Sequence, residues 1–220
     1  MADMDLALTK PVRPRDAASL VIVDATGAEP RILMGRRHAK MKFIPDAFVF
    51  PGGKLDAGDM LARPATTLES IEHFGTEAKA QGLAMAAVRE TFEETGLLLT
   101  RKGDVGGDGG TGWEPFRTSG IAPDLGALKG LARAITPRQS PIRFHARFFM
   151  TSAEKLTGTL KGSGELEELD WYPLSAALRL PVIDVTEFVL REVGGIFSGG
   201  IRRAQVPLYS YRNNKPLVRG

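Results

Sequence analysis

The sequence predicts an α/β protein in which a mixed β-sheet is packed between helices. Two observations support this fold class: β-rich runs alternate with helical segments, and the alternation lacks the regular strand–helix–strand period of a parallel sheet. The composition agrees, because 43% hydrophobic and 25% charged residues are ordinary values for a globular protein. At 220 residues, we expect one domain over residues 1–220 with a substantial core.

The first half of the chain contains three strand-like runs. Residues 17–24 and 31–37 are rich in aliphatic residues and flank a turn-rich segment, so they predict a pair of strands. A third run, residues 48–50, leads into Gly52 and Gly53. These glycines allow a close backbone approach that a Cβ atom would block, so a main-chain carbonyl could join a metal site.

A helix is predicted over residues 83–95, with Gly96 as its stop. At about 100° per residue, Glu90, Glu93 and Glu94 share one face. The opposite face is apolar and consists of Met85, Val88 and Phe92. Carboxylates packed this closely raise one another's pKa unless a cation compensates, and Mg²⁺ prefers such oxygen ligands. A solvated acidic surface is the alternative interpretation of the same pattern.

The remaining elements are predicted from shorter patterns. Residues 103–112 are rich in glycine but lack the Gly-Lys-Ser/Thr ending of a phosphate-binding loop, which favours a flexible surface excursion. The other predictions, in chain order, are a partly helical stretch at 68–74, a short helix at 124–134, a strand at 141–150, a helix at 183–193 and a hairpin at 206–218 around Asn213 and Asn214.

Composition and charge exclude several functional classes. The chain has no cysteine, which excludes disulfides, thiolate nucleophiles and cysteine-ligated zinc. No apolar run is long enough to span a bilayer, and acidic residues stand where a signal peptide would carry basic ones. The net charge is only +3, without basic runs interleaved with aromatic residues. We expect a cytoplasmic protein that binds neither membranes nor nucleic acid.

The glycine turn and the acidic helix form one pattern. Gly53 is followed six residues later by Asp59, and Arg89 begins the segment R-E-T-F-E-E-T-G-L. Together they resemble the Nudix box, G-x5-E-x7-R-E-U-x-E-E-x-G-U with U aliphatic, the motif of a family of Mg²⁺-dependent pyrophosphohydrolases. Asp59 replaces the first glutamate, and Thr91 replaces an aliphatic residue. Between Asp59 and Arg89 lie 29 residues instead of seven.

This long spacing is similar to one branch of the family, related to a peroxisomal coenzyme A diphosphatase. The same branch carries segments like F-I-P-D-A-F-V-F-P-G-G at 43–53, and like Thr136-Pro137 followed by R-F-H-A-R-F-F at 143–149. The resemblance runs from about residue 17 to 190. It implies a Nudix-type α/β/α sandwich with a curved mixed sheet, an insertion at about 60–80 and a C-terminal extension at about 195–220.

The resemblance also implies a metal site. Glu90, Glu93 and Glu94 are expected to hold Mg²⁺ or Mn²⁺, with the carbonyl of Gly52 as a further ligand. Such ions neutralise phosphate oxygens and lower the pKa of a bound water. Arg89 lies four residues before Glu93, so an ion pair between them could orient that carboxylate.

The general base and the substrate contacts are less strongly indicated. Glu90 matches the position that often accepts the proton of the attacking water. Two interpretations are open for Glu165, Glu167 and Glu168: one of them could be a base from outside the box, or the three could form a solvated acidic turn. Cationic residues that could contact phosphates, or instead face solvent, are Arg37, Arg143 and Arg147; at most one of Arg36 and Arg37 is expected to face a cleft.

These expectations define a function. The leading one is metal-dependent hydrolysis of the diphosphate bond in an X-linked nucleoside diphosphate, with coenzyme A or acyl-CoA as the first substrate class. Nucleotide sugars, ADP-ribose and dinucleoside polyphosphates stay open, because the fuller coenzyme A signature before the box is absent. The alternative is a non-catalytic Nudix domain that binds a nucleotide as a regulator, although such domains usually lose box carboxylates. The correctly placed glycine turn and Arg89 argue against a chance match on a generic acidic helix, and the protein could form a homodimer.

Overall fold

A computed structural model describes residues 12–41, 43–69, 73–107, 109–200 and 205–220. The elements in chain order are β1 (Arg15–Asp24), β2 (Arg31–Arg37), β3 (Phe48–Val49), β4 (Gly52–Lys54), α1 (Glu77–Thr95), β5 (Leu97–Leu98), β6 (Thr100–Lys102), α2 (Glu114–Thr118), β7 (Ile121–Pro123), β8 (Lys129–Ile135), β9 (Phe144–Ser152), β10 (Thr157–Gly158), β11 (Leu166–Pro173), α3 (Leu174–Ala177), α4 (Asp184–Phe197), β12 (Leu208–Arg212) and β13 (Lys215–Arg219).

The main sheet is mixed, as the sequence predicts. Its strand order is β11-β2-β1-β9-β8-β12-β13, with β3 paired to β2 and β4 paired to β1. Strands β1 and β9 are parallel, as are β8 and β12, while the other pairs in this sheet are antiparallel. Two short two-stranded sheets, β5 with β10 and β6 with β7, lie outside it.

Helices cover both faces of this sheet. On β1, Leu20 and Ile22 belong to the core under α1, whereas Val21 and Val23 belong to the core that includes Val189 of α4. The alternation follows from the two-residue period of a strand. The predicted α/β/α sandwich is therefore confirmed.

Several local predictions agree with the structure. Helix α1 ends at Thr95 and is capped by Gly96, whose φ of 74° is the left-handed conformation that glycine adopts readily. It begins at Glu77, earlier than the predicted residue 83, because Thr76 caps it by accepting the N–H of Lys79. The hairpin turn at Asn213 and Asn214 is also present, with positive φ at both residues.

Three other predictions need correction or lie partly outside the described residues. The helix predicted at 124–134 is instead a 3₁₀ turn, Leu125–Ala127, followed by strand β8. The predicted helical stretch at 68–74 includes residues 70–72, which are outside the described residues; its described positions are not helical. The glycine-rich segment is not simply a surface excursion, because Val105 and Gly109 within it are buried.

The insertion packs against this glycine-rich region. The backbone N–H of Arg63 donates to the carbonyl of Val105, at 2.9 Å. The hydroxyl of Thr66 donates to the carboxylate of Asp124 (2.6 Å) and accepts the N–H of Gly126 (2.8 Å). Within the part of the chain described, no helix is long and apolar enough to cross a membrane.

Candidate active site

The glycine turn lies directly on the acidic face of α1. The N–H of Gly52 donates to Oε2 of Glu94 at 2.8 Å. A Cβ atom on Gly53 would stand only 2.3 Å from Cδ of Glu90, closer than real Cβ contacts come. Gly53 is therefore needed for β4 to approach Glu90, whereas a Cβ on Gly52 would meet strand β1, at 2.4 Å from the carbonyl oxygen of Ala18.

Arg89 ties the acidic groups of the site together. Its guanidinium is buried and donates to Asp59 through Nε–Oδ1 (2.8 Å) and Nη2–Oδ2 (3.0 Å). Its Nη1 lies 3.1 Å from Oε1 of Glu90 and 3.2 Å from Oε2 of Glu93. The predicted ion pair with Glu93 is present, and one guanidinium nitrogen bridges two of the box carboxylates.

The ion pair between Asp59 and Arg89 is the main contact of the site that was not predicted from the sequence. The side chain of Asp59 is fully buried, and its Oδ2 also accepts the backbone N–H of Asp56 at 2.9 Å. Asp59 thereby fixes Arg89 and closes the short 3₁₀ turn Ala57–Met60 at the same time. The spacing from Gly53 identified this position, but only the fold shows its partner, 30 residues later.

Glu90 and Glu94, beneath the glycine turn, are buried without enough positive charge nearby to offset the loss of solvation of their carboxylates. Burial raises the pKa of Glu90 to about 7, against the lowering effect of Arg89. Burial likewise raises the pKa of Glu94 to about 8, opposed by the Gly52 N–H and reinforced by the negative charges of Glu90 and Glu165. A cation bound here would relieve this desolvation cost.

The donor set fits a hard divalent metal ion. Carboxylate and carbonyl oxygens, the donors that Glu90, Glu94 and Gly52 can supply, are the ligands that Mg²⁺ accepts. The shell is not preassembled, however: no three acidic or imidazole groups among the described residues stand at coordination spacing. Glu93 is held by Arg89 and Glu94 by Gly52 instead.

A cleft of about 880 Å³ opens beside these carboxylates. Glu90, Glu94 and the two glycines line one end of it, and much of the remaining wall is apolar or aromatic. Of the predicted substrate contacts, Arg37 lines the cleft, where its Nε donates to the carbonyl of Phe43 at 2.9 Å.

The predicted positions of Arg143 and Arg147 need correction. Their strand alternates as expected, but Phe144 and Ala146 line the cleft, whereas the two arginines are buried outside its lining. Arg143 donates to backbone carbonyls, and Arg147 pairs with Asp16 at 2.5 Å. Both guanidinium groups contact other parts of the fold, although Nε of Arg147 is buried without a hydrogen-bond partner among the described residues. Neither arginine faces the cleft or the solvent.

The alternative bases are also separated by the fold. Glu165 lines the cleft near Glu94. Glu167 and Glu168 each lie 2.7 Å from a nitrogen of Arg36. Neither of these two glutamates lines the cleft, and Arg36 does not line it either. Arg36 thus turns away from the cleft while Arg37 faces it.

Comparisons with known proteins agree on one family. The sequence profile of the NUDIX domain matches residues 13–188. A Caenorhabditis elegans protein named as a nudix hydrolase is 29% identical over 180 residues, covering 71% of this chain and 50% of that protein. An acyl-coenzyme A diphosphatase of Gallus gallus is 29% identical over 158 residues, covering 54% of this chain and 39% of its own length. The chain thus spans half or less of these relatives.

Solved structures give the same result. A NUDIX hydrolase from Alicyclobacillus acidocaldarius is 31% identical, with a TM-score of 0.63, over 82% of this chain and 90% of that one. A MutT NUDIX hydrolase from Burkholderia pseudomallei has a TM-score of 0.50 at 20% identity, over 83% of this chain and 99% of that one, and shares the fold.

Proposed function

The chain belongs to the NUDIX domain family, and from this premise we propose that it is a pyrophosphohydrolase that uses Mg²⁺ or Mn²⁺. The observation that carries the proposal is the packing of the glycine turn against α1: the N–H of Gly52 donates to Glu94, and Gly53 lies against Glu90. Two desolvated carboxylates and a backbone turn beside a cleft suit a divalent cation and a polyanionic substrate.

Each residue of the box has a distinct task in this proposal. Glu90, Glu93 and Glu94, with the carbonyl of Gly52, would hold the metal. When bound, the metal lowers the pKa of a coordinated water and neutralises phosphate oxygens. Arg89 fixes the orientation of Glu90 and Glu93 from the buried side, because its other nitrogens are anchored on Asp59.

Glu90 is the general base that we propose. It lines the cleft and occupies the box position where the resemblance implies that the proton of the attacking water is accepted. Glu165 also lines the cleft and is the alternative base, whereas Glu167 and Glu168 are engaged by Arg36.

Coenzyme A or acyl-CoA is the substrate class that we propose first. We also propose that the protein is located in the cytoplasm. The similarity to the Gallus gallus acyl-coenzyme A diphosphatase supports the substrate class, as does a cleft whose lining is largely apolar. Arg37 lines that cleft and supplies a positive charge for the phosphates.

Product analysis against a diphosphate panel tests the proposal. The purified protein is incubated with coenzyme A, acetyl-CoA, ADP-ribose, NADH, a nucleotide sugar and a dinucleoside polyphosphate, each with Mg²⁺, Mn²⁺ or EDTA. Metal-dependent release of 3′,5′-ADP from coenzyme A is the expected result. Cleavage of another compound keeps the reaction and replaces the substrate. Binding without any cleavage would support the regulatory alternative.

A further inference from the structure

Three alanines stand in register across the floor of the cleft. Ala17 of β1 is paired with Ala146 of β9, and Ala146 is paired with Ala134 of β8. The row continues to Lys54 of β4 at one end and to Tyr209 of β12 at the other. All five residues line the cleft. We call the channel above the three alanines the alanine groove.

The groove starts at the catalytic end of the cleft. Lys54 follows Gly53 directly, and Gly53 abuts Glu90. Neighbouring strands lie about 4.8 Å apart, so the row from Lys54 to Tyr209 crosses four strand spacings and is about 19 Å long. Its far end is deep in the cleft, where Ala134 and Tyr209 are each only 6% exposed. A substrate bound by its diphosphate at Glu90 therefore has a long channel leading away from the reacting bond.

Aromatic side chains form the two edges of this groove. Phe144 and Phe148 lie two residues before and after Ala146 on β9, so they project from the same face of the sheet and both line the cleft. Phe43 packs edge-on against Phe144 (4.9 Å between centroids), and Phe50 packs against Phe148 (6.2 Å). These contacts fix the width of the groove.

We propose that the alanine groove binds the long, narrow arm that the substrate carries on the far side of its diphosphate, and that Ala146 is a residue that determines specificity for it. An extended chain advances about 1.2 Å per bond, so the arm of coenzyme A, with about a dozen bonds, spans roughly 14 Å and fits the groove. A sugar ring is too short to reach past the first alanine.

The polar groups of the cleft suit an arm that contains amides. Hydroxyl side chains among its lining residues can pair with amide groups: Ser19, Ser140 and Thr186. The small alanine side chains leave room above the sheet, which a larger residue would fill. This inference rests on the proposed function for the position of the diphosphate.

The test compares two substrates that share the ADP half. Dephospho-coenzyme A carries the arm beyond its second phosphate, and ADP-ribose carries only a ribose there. For Ala146→Leu we expect kcat/KM for dephospho-coenzyme A to fall at least tenfold, mainly through KM, with ADP-ribose changed less than twofold. Ala28→Leu, at an exposed alanine in the β1–β2 turn, is the matched control and should change neither.

Binding in EDTA separates this inference from the reaction. Calorimetry should show that wild type binds dephospho-coenzyme A and that Ala146→Leu weakens this binding, even if no compound is hydrolysed and the proposed function fails. If melting curves show that the leucine variant is unfolded, Ala146→Val, a smaller change, is used in its place. Equal losses for both ligands, or no loss for dephospho-coenzyme A, would overturn the assignment of the groove.

Discussion

Arg89 and Asp59 form a two-pronged ion pair that is shielded from solvent. Nε and Nη2 of Arg89 contact the two carboxylate oxygens at 2.8 and 3.0 Å, and the side chain of Asp59 is 0% exposed. The pair joins the 3₁₀ turn after β4 to the helix that carries the box carboxylates. A residue at the start of a long insertion thus fixes the helix at its other end.

Removal of this pair should affect both stability and activity. We expect Asp59→Asn to lower the free energy of unfolding by about 3 kcal/mol, because the buried guanidinium of Arg89 loses the carboxylate that accepts two of its hydrogen bonds, although it keeps its contacts with Glu90 and Glu93. Turnover should fall as well, since Arg89 then holds Glu90 and Glu93 less firmly. Chemical denaturation and steady-state kinetics measure the two effects.

Asp56 provides the matched control. Its carboxylate lies 3.7 Å from the same guanidinium, but its side chain is 69% exposed. We expect Asp56→Asn to change the free energy of unfolding by less than about 0.5 kcal/mol, because exposed pairs contribute little. Similar losses in both variants would show that the burial of Asp59 is not the deciding feature.

Gly53 is predicted to be required for activity because of the room it leaves for Glu90. In Gly53→Ala the new methyl group would overlap the Glu90 carboxylate, and displacement of a catalytic group by about 1 Å can cost about 100-fold in rate. Gly107→Ala is the control, since a Cβ there meets nothing within 4 Å. Unchanged kinetics in Gly53→Ala would mean that Glu90 does not act from its position under the turn.

The stability of the metal-free protein should decrease as the pH rises. The folded-state pKa values of Glu90 and Glu94, about 7 and about 8, lie above the ordinary value of 4.5. The folded state therefore holds more protons than the unfolded state between these limits, and stability is lost as the pH rises through 7 and 8.

Denaturation in EDTA from pH 5 to pH 9 checks this sign. Glu94→Gln keeps an acceptor for the Gly52 N–H but no charge, so its stability should depend less on pH and exceed that of wild type at pH 9. Glu154→Gln, at an exposed position, should follow wild type. If wild type gains stability over this range, the two carboxylates are not desolvated as described.

Whether a sequence prediction is confirmed depends on the sequence separation of the residues that determine the element. The acidic face of α1 and the turn at Asn213 and Asn214 follow from residues a few positions apart, and both are present. Strand β8 was predicted as a helix because its short-range pattern is ambiguous. Its conformation is set by β9 and β12, which pair with it from positions 145–150 and 208–209.

The site shows the same division. The contact between Arg89 and Glu93 lies within one helical turn and was predicted from sequence. The partner of Arg147 is Asp16, which is 131 residues away, so no local pattern indicates that this arginine is used inside the fold. The alanine groove also depends on register between strands that are distant in sequence.

The insertion should support the fold without contacting the substrate. None of its described residues lines the cleft, and Thr66 anchors it to Asp124 and Gly126. We expect Thr66→Val to lower the free energy of unfolding by about 1–2 kcal/mol through these lost hydrogen bonds. Thermal denaturation should show this loss, with kcat/KM unchanged within twofold.

Thr67→Val is the neighbouring control for the insertion, because Thr67 is exposed. It should leave both stability and kinetics close to wild type. A large rise in KM for Thr66→Val, without loss of stability, would instead indicate that the insertion acts as a lid or a specificity loop.

The most direct test of the proposed chemistry is diphosphate turnover by wild type, Glu93→Gln and Glu94→Gln, measured side by side with Mg²⁺ and with EDTA. Glu187→Gln, which removes an ion pair four residues apart on α4, serves as the helical control. We expect turnover only with Mg²⁺, at least a 100-fold loss in both box variants with the fold intact, and wild-type rates in the control. Full activity of either box variant with Mg²⁺, or wild-type activity in EDTA, would contradict a metal held by the acidic face of α1.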